Sequence, residues 1–394
     1  MTESASLEEQ VGIKGHNLTF AGVGGIIKLL PEDFLVHEIL PNGEILYTGD
    51  EIGKDVGGMY VHFVLWKRGL DTNSALKRIS KLCHHNEKDF GYAGLKDAHA
   101  ETIQRISVWS GQKECLGDIN LPNLKILNPI RQKFGISIGD LVGNRFQVRI
   151  RNTQRNVNHS EWKTVCSESE SNGFLNFYGL QRFGSKRPIL HKFGRYLLQE
   201  KYSLAIDSYL GTESKFENEK ISSLRKMYVK KESLAEIYAL FPYTYSFERR
   251  MLSGLMKRSS PEKIIRSFPI YFLRLAISAY QSFIFNKLLS KLHTKRYELL
   301  SQLRLPIIGY STNMSTLPLE IKSLLQDFLA FDNLNLKSFN HEIKKLSSKG
   351  TERAAIVKPS DVKITSNLAK NDDVQIHFSL PKGSYGTMFL REVI

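Results

Sequence analysis

The 394-residue sequence predicts an α+β protein in which a helix-rich segment interrupts a strand-rich part. Strand patterns dominate the first half of the chain. From about Leu190 to Arg353 glycine becomes rare, Lys and Glu become frequent, and helical stretches such as 221–240 occur. Strand alternation returns at 374–380. We therefore expect residues 1–189 and 354–394 to form one domain and residues 190–353 an inserted domain, with approximate boundaries.

The first predicted strands precede a helix. In EDFLVHEIL at 32–40, Phe34 and Val36 alternate with their neighbours, and YVHFVLW at 60–66 is rich in aromatic and β-branched residues. Asp71 and Thr72 are favoured helix N-caps, and apolar residues recur at helical spacing from Leu76 to Cys83. Two strands followed by an amphipathic helix are therefore expected.

The segment GYAGLKDAHAETIQRISVWSG at 91–111 contains a polar turn between two strands. Its first strand includes glycine, the turn runs from Lys96 to Ala100, and an alternating strand extends from Thr102 to Trp109. Asp97 therefore lies in a loop. A carboxylate there can be a nucleophile, a general base, a metal ligand or a turn residue, and the residues alone favour the turn.

Two later strands are predicted from alternation. NRFQVRIRN at 144–152 places apolar side chains on one face and basic side chains on the other. These are Phe146, Val148 and Ile150 on the apolar face, and Arg145, Arg149 and Arg151 on the basic face. VQIHFSLP at 374–381 alternates in the same way and should rejoin the first sheet. The arginine face is a candidate contact surface for a polyanion.

Composition limits the possible classes of function. Lys plus Arg total 55 against 40 Asp plus Glu, a net charge of +15 that favours nucleic acid over an anionic membrane as partner. The three cysteines are far apart, which suggests neither a disulfide framework nor a zinc site. The stretch Tyr271 to Leu292 is interrupted by polar residues and should be a buried helix. The N-terminal residues lack a secretory pattern, so a cytoplasmic protein is expected.

NFYGLQRFG at 176–184 sets aromatic rings beside amide and guanidinium groups. Such a set can stack on an unpaired base and bind its edge. A core aromatic cluster with one surface arginine is the alternative, and the residues alone slightly favour it.

Five segments resemble blocks of the TruD family of pseudouridine synthases and follow the family's order across 24–392. GYAGLKDAHAETIQ is similar to the signature around the family's catalytic aspartate, and NFYGLQRFG resembles a second motif over its whole length. IIKLLPEDFLVHE at 26–38, SAYQSFIFN at 278–286 and LPKGSYGTMFLRE at 380–392 resemble three further blocks. Ala98 and Glu101 depart from the family pattern, and residues 196–267 match none of it.

The resemblance implies an α+β pseudouridine synthase catalytic domain with a mixed, largely antiparallel sheet and flanking helices, interrupted at 190–353 by a TRUD-type insertion domain. It implies isomerisation of uridine to pseudouridine in tRNA at position 13, by base flipping and aspartate nucleophilic catalysis, with no cofactor and no metal. The expected partner is tRNA, with no membrane and no obligatory protein partner, so we expect a monomer.

The resemblance also implies roles for individual residues. Asp97 is the expected nucleophile, and Lys28 is its expected ion-pair partner, since a nearby cation favours the charged form of a carboxylate. Tyr178 should stack on the extruded base, and Asn176 should contact the target nucleotide or the active-site loop. The residues expected to bind substrate are Lys96, His99, Gln104, Gln181, Arg182 and Arg391, although Lys96 could instead pack structurally.

The sequence is also compared with the requirements of two other functions, a binding factor and a hydrolase. A tRNA-binding or tRNA-folding factor without catalysis would not need the aspartate, and Asp97 is present. A hydrolase would need a second carboxylate or a metal site beside Asp97, and no motif supplies one. Whether Asp97 attacks C6 of the base or C1′ of the sugar stays open at this stage.

Overall fold

A computed structural model describes residues 3–111, 113–297, 299–366 and 373–394. The chain divides into two compact units. One unit, here called the helical unit, comprises Met1–Gly15 and Leu175–Ile356; the other, the sheet unit, comprises His16–Phe174 and Val357–Ile394. Residues 175–189, which the sequence analysis assigned to the catalytic domain, are thus part of the helical unit.

The helices and strands have the following bounds. The strands are β1 Phe34–Ile39, β2 Tyr60–Arg68, β3 Phe90–Tyr92, β4 Glu101–Trp109, β5 Asn120–Leu121, β6 Leu124–Gln132, β7 Gly143–Ile150, β8 Phe174–Leu175, β9 Arg304–Ile307, β10 Thr351–Ala354, β11 Ile356–Val357, β12 Ser360–Ser366 and β13 Val374–Pro381. The helices are α1 Glu3–Gln10, α2 Thr72–Leu82, α3 Lys113–Gly117, α4 His159–Asn172, α5 Leu190–Leu198, α6 Tyr202–Gly211, α7 Glu219–Val229, α8 Leu234–Leu240, α9 Ser246–Met256, α10 Pro261–Arg266, α11 Ile270–Thr294, α12 Leu319–Phe331 and α13 Gly386–Leu390.

The sheet unit is built on one mixed sheet. Its strand order is β12-β13-β7-β1-β4-β2-β6-β5, and β3 also pairs with β4. β1 and β4 run parallel, whereas the other described pairings in this sheet are antiparallel. β13 pairs with β7 along its length, so the prediction that 374–381 rejoins the first sheet is confirmed. The expected mixed, largely antiparallel sheet is also confirmed.

Alternation of side chains explains the core on one face of this sheet. Helix α2 begins at the N-cap Asp71, whose side chain accepts a hydrogen bond from the Ser74 amide, as its sequence predicted. Leu76 and Ile79 of α2 belong to one buried cluster with Phe63 of β2 and Ile106 of β4. The predicted amphipathic helix therefore covers the strands that flank the Asp97 loop.

One expectation about cysteine is wrong. Cys83, at the end of α2, and Cys115, in α3, form a disulfide. They are separated by 32 residues and meet because α2 and α3 pack in the same apolar cluster, a tertiary arrangement that residue spacing alone does not encode. Cys166 is a free thiol.

The helical unit contains the long buried helix predicted at 271–292, now bounded as α11. Helix α5 packs closely on α11 at Gly194, where an added Cβ would overlap the carbonyl oxygen of Ala276. The stretch 221–240 is not one long helix but α7 and α8. The break occurs where Lys231 adopts a positive φ and Ser233 caps α8. No helix in the described ranges is long and apolar enough to cross a lipid bilayer.

Candidate active site

Asp97 lies in the loop between β3 and β4, as the sequence predicted. Its side chain is 38% exposed, and its Oδ2 lies 2.5 Å from the ammonium nitrogen of Lys28. That nitrogen also lies 4.1 Å from the centre of the Phe34 ring. A carboxylate and an aromatic ring thus surround the ammonium group, which fixes the cation beside an accessible carboxylate. The predicted pairing of Lys28 with Asp97 is present.

The backbone of Lys28 has a left-handed conformation, with φ of 58°. Such a conformation costs a non-glycine residue about 1–3 kcal/mol and persists only where its surroundings impose it. Reciprocal amide-to-carbonyl hydrogen bonds between Ile26 and Arg151 anchor the chain on one side of Lys28. On the other side the turn Pro31–Asp33 leads into β1, and Asp33 accepts two hydrogen bonds from Arg151. Arg151 therefore holds both flanks of Lys28.

Lys67, near the end of β2, is a second cation close to Asp97. Its side chain is fully buried and donates to the carbonyl oxygens of Leu70 (2.6 Å) and Asp97 (3.0 Å). Burial lowers the pKa of Lys67 to about 8, while Asp97 and Asp71 oppose that shift. Sequence reasoning missed Lys67. One sequence feature could have indicated it: Lys67 continues the apolar run of β2 shortly before Asp71, the N-cap of α2.

A hydroxyl and an amide hold the main chain of the Asp97 loop. The Thr72 hydroxyl accepts from the amide of Lys96 (3.0 Å) and donates to the side chain of Gln104 (3.1 Å). The Gln104 amide in turn donates to the carbonyl oxygen of Gly94 (3.1 Å). Gln104 is fully buried. It was expected to bind substrate, but its burial and its partners make it a support of the loop instead.

Lys96 also points into the protein. Its ammonium nitrogen lies 3.3 Å from a carboxylate oxygen of Glu38 and 2.5 Å from the side-chain oxygen of Asn144. Burial lowers the pKa of Lys96 and raises the pKa of Glu38, and the attraction between the two groups opposes both shifts. Of the two roles expected for Lys96, contact with RNA and structural packing, its burial and its pairing with Glu38 favour packing.

Two other predicted residues of the sheet unit are more accessible. His99 is exposed, two positions after Asp97 in the same loop. Arg391 is half-buried and follows α13. Both stay candidates for contact with substrate.

The helical unit contains the second group of predicted residues, beginning with Asn176. Asn176 is buried; its side-chain oxygen accepts from Arg353 (2.6 Å) and its side-chain amide donates to the carbonyl oxygen of Ala354 (2.9 Å). Arg353 also donates to the main-chain oxygen of Asn176 (2.9 Å). Asn176 therefore fixes the Arg353 guanidinium, a residue that sequence reasoning did not single out.

The Arg353 guanidinium carbon lies 4.2 Å from the centre of the Tyr178 ring. Phe285 meets that ring edge-on, with 5.5 Å between ring centres. The Asn286 side chain forms two hydrogen bonds with the main chain of Tyr178: it accepts one from the amide (2.9 Å) and donates one to the carbonyl oxygen (3.0 Å). Tyr178 is only 8% exposed, so a base could stack on it only after the ring becomes more accessible.

The neighbouring residues differ in exposure. Gln181 is exposed. Arg182 is half-buried and donates to the hydroxyls of Ser278 and Ser282 on α11. The motif at 176–184 and the block at 278–286, far apart in sequence, are thus joined by Arg182 and Asn286.

Two of the three arginines of the expected basic face are engaged with acidic residues of the sheet unit. Arg151 pairs with Asp33 and Asp373, and Arg145 lies 4.0 Å from the carboxylate of Asp361 and donates to its main-chain oxygen. The net positive charge of the chain lies elsewhere. Within 175–356, Lys and Arg outnumber Asp and Glu two to one, an excess equal to the whole net charge of +15. The helical unit is therefore the stronger candidate surface for a polyanion.

Across the described ranges, no group of three or more His, Cys, Asp or Glu side chains is arranged to hold a metal ion.

Comparisons with known proteins agree with these motifs. The family model described as tRNA pseudouridine synthase D (TruD) matches residues 10–303 and 298–393. A protein of Methanocaldococcus jannaschii named probable tRNA pseudouridine synthase D 1 is 32% identical, over 96% of this chain and 97% of its own. An Archaeoglobus fulgidus protein named probable tRNA pseudouridine synthase D is 29% identical, over 98% and 99%.

A crystal structure from Methanosarcina mazei, described as tRNA pseudouridine synthase D (TruD), is similar throughout. It superposes with a TM-score of 0.77 at 26% identity, covering 100% of this chain and 98% of that one. The sequence blocks, the mixed sheet and the matched length lead to one conclusion: the chain belongs to the tRNA pseudouridine synthase D (TruD) family.

Proposed function

We propose that this enzyme isomerises uridine to pseudouridine in tRNA, at position 13, with Asp97 as the nucleophile and without a cofactor. The observation that supports the proposal most directly is the ion pair between Lys28 and the accessible carboxylate of Asp97. The names of its relatives support tRNA as the substrate. We also propose that the enzyme acts as a monomer in the cytoplasm.

The chemistry makes clear demands on these residues. The reaction breaks the bond between N1 of uracil and C1′ of ribose, turns the base, and joins C5 to C1′; C5 loses its hydrogen as a proton and N1 gains one, so the product is an isomer of the substrate. A carboxylate nucleophile must be ionised and must keep its position through the reaction. Lys28 supplies a cation at the carboxylate, and Lys67 fixes the main chain of Asp97 from the buried side. Attack at C6 and attack at C1′ both fit this arrangement.

A uridine stacked in folded RNA must first be extruded, which costs a few kcal/mol. We propose that Tyr178 stacks on the extruded base and that Asn176 acts by fixing Arg353 beside the Tyr178 ring. His99, Gln181, Arg182 and Arg391 are proposed contacts with the RNA around that base. The sheet unit is the proposed catalytic domain, and the inserted helical region is proposed to bind tRNA through its excess of Lys and Arg.

A non-catalytic tRNA-binding factor is the alternative, and one substitution separates it from the enzyme. Asp97→Asn keeps the size of the side chain but removes its charge and its nucleophilic oxygen. Pseudouridine formation in a tRNA transcript should fall below detection, while the affinity for tRNA and the thermal unfolding midpoint stay near those of the wild type.

Asp118→Asn is a matched control, because Asp118 is an exposed aspartate of the same unit. It should behave as the wild type. Normal pseudouridine yield from Asp97→Asn would overturn the mechanism, and no yield from the wild-type protein would overturn the proposed activity.

A further inference from the structure

Tyr243, in the turn between α8 and α9, is one of the most exposed large side chains described, at 87%. Phe241, two residues earlier, is only 2% exposed, so this turn buries one ring and leaves the other in solvent. Core packing therefore explains Phe241 but not Tyr243.

A guanidinium group lies against the exposed ring of Tyr243. The guanidinium carbon of Arg249, on α9, is 4.6 Å from the centre of the Tyr243 ring and 4.0 Å from that of Tyr238. Arg249 is itself fixed, since it donates to the main-chain oxygens of Tyr238 (2.6 Å) and Phe241 (2.8 Å). Tyr238, Arg249 and Tyr243 form what we call the Tyr-Arg-Tyr stack.

This arrangement has the properties of a base-stacking surface. A flat aromatic ring binds the face of any nucleobase, and a tyrosine has few rotatable bonds to restrain on binding. A guanidinium on one side of the ring limits its motion and leaves other ring surface available to solvent. Because the stack is already assembled, little conformational entropy is lost when a base binds.

The charge of the region that contains the stack favours RNA as its partner. Lys230 and Lys231 are exposed at the end of α7, and Lys257 and Arg258 are exposed immediately after α9. These four cations lie at the outer ends of the segment formed by α8, the turn and α9, within the region that contains the whole net positive charge of the chain. Basic groups that hold a phosphate backbone, with an aromatic ring that receives a base, are the usual combination in proteins that bind unpaired nucleic acid.

We propose that the Tyr-Arg-Tyr stack is a binding site for an unpaired nucleobase of tRNA. The inference rests on the proposed function, because it takes tRNA as the substrate, but it concerns binding and not chemistry. The site lies within 196–267, where none of the five sequence blocks falls.

The test is the affinity of Tyr243→Ala for a tRNA transcript. Loss of one stacked base should raise the dissociation constant by about 5- to 150-fold. The slope of log affinity against log salt concentration should not change, because the lost contact is uncharged. Single-turnover pseudouridine formation at saturating enzyme should keep its wild-type rate. Tyr243→Phe should bind normally, since the ring is retained.

Tyr271→Ala is the matched control, because Tyr271 is a 65% exposed tyrosine of the same unit. It should bind tRNA as the wild type does. Wild-type affinity of Tyr243→Ala, equal loss of affinity in Tyr271→Ala, or equal weakening toward a fully paired RNA duplex would each overturn the proposal. Absence of pseudouridine formation by the wild type would instead contradict the proposed function.

Discussion

The ammonium group of Lys67 donates a hydrogen bond to the main-chain oxygen of Asp97, 3.0 Å away, while Lys28 binds the side chain of the same residue. Asp97 is thus held at two points by two lysines that come from different segments of the sheet unit. Lys67 is fully buried and bridges Asp97 to Leu70. Its effect should therefore be on the position of Asp97, the proposed nucleophile.

Lys67→Met removes the donor to the Asp97 oxygen while keeping an unbranched apolar side chain. If Asp97 is the nucleophile, as proposed, a displacement of its carboxylate by a fraction of an ångström to 1 Å should lower kcat by about 10- to 100-fold and leave KM for tRNA nearly unchanged. The measurement is steady-state pseudouridine formation over a range of tRNA concentrations. Arg68→Met, the exposed neighbouring cation, is the control. Equal kcat values for Lys67→Met and the wild type would refute the positioning role.

The pH dependence of stability also reports on Lys67. Its pKa is about 8 in the folded protein against an ordinary 10.5, so between these values the unfolded state binds more protons. The contribution of Lys67 to the free energy of unfolding is thus present above pH 10.5 and is lost as the pH falls through 8. Relative to Lys67→Met, the wild type should gain about 3 kcal/mol across this window. Denaturant titrations at several pH values measure the difference, and a flat difference would contradict it.

Lys28→Met should be less damaging than Asp97→Asn, because the nucleophile remains while its cation is lost. We expect pseudouridine formation to fall on the order of 10²-fold, with measurable residual turnover. Lys28→Arg keeps the charge and should recover part of the rate. Single-turnover assays on a tRNA transcript rank the three variants. A Lys28→Met rate equal to that of the wild type would show that the ion pair is not needed for catalysis.

Salt dependence should locate the RNA-binding charges. Each phosphate contact contributes about 0.7–0.9 to the slope of log affinity against log salt. Replacing both Lys230 and Lys231 by Gln should therefore reduce that slope by roughly 1 to 2. Arg145→Gln should leave it unchanged, because Arg145 is engaged with the Asp361 segment. An unchanged slope for the double lysine variant together with a reduced slope for Arg145→Gln would instead indicate that RNA contacts the β7 face.

The disulfide between Cys83 and Cys115 should stabilise the sheet unit. Closing a loop of this length restricts the unfolded chain, and its loss should lower the free energy of unfolding by about 2–4 kcal/mol. Cys83→Ser, or reduction of the wild type, can be followed by denaturant unfolding. Cys166→Ser is the control because Cys166 is a free thiol. Identical unfolding curves with and without reductant would rule out this contribution.

Sequence patterns predicted the elements of the sheet unit because their side chains alternate. β7 and β13 alternate between buried and less buried positions, whereas β1, β2 and β4 are buried along most of their length. The start of α2 was marked by its capping residue Asp71. The break between α7 and α8 was missed because local propensity does not mark it strongly. It depends on one residue with a positive φ.

Residues of the candidate active site could be predicted only where they belong to a motif that resembles a family block. Asp97 and Lys28 are 69 positions apart, and no periodicity relates them. The burial of Lys96 against Glu38, and of Lys67 beneath the loop, depends on strands that meet only in the folded sheet. The two roles left open for Lys96, RNA contact and packing, could not be separated for that reason: a lysine is usually exposed, and only its surroundings in the fold show that this one is buried.

The pairing of β7 with β13 has a consequence for biosynthesis. More than 200 residues, including the whole α5 to α12 region, separate these adjacent strands in sequence, so a ribosome completes those helices before it produces 374–381. Local helical contacts form rapidly, whereas distant strand pairing is slow. Until β13 is made, the edge of β7 that will face it has unpaired main-chain amide and carbonyl groups. We expect the nascent chain to be most prone to aggregate during that interval. Arrival of β13 would end it by covering that edge.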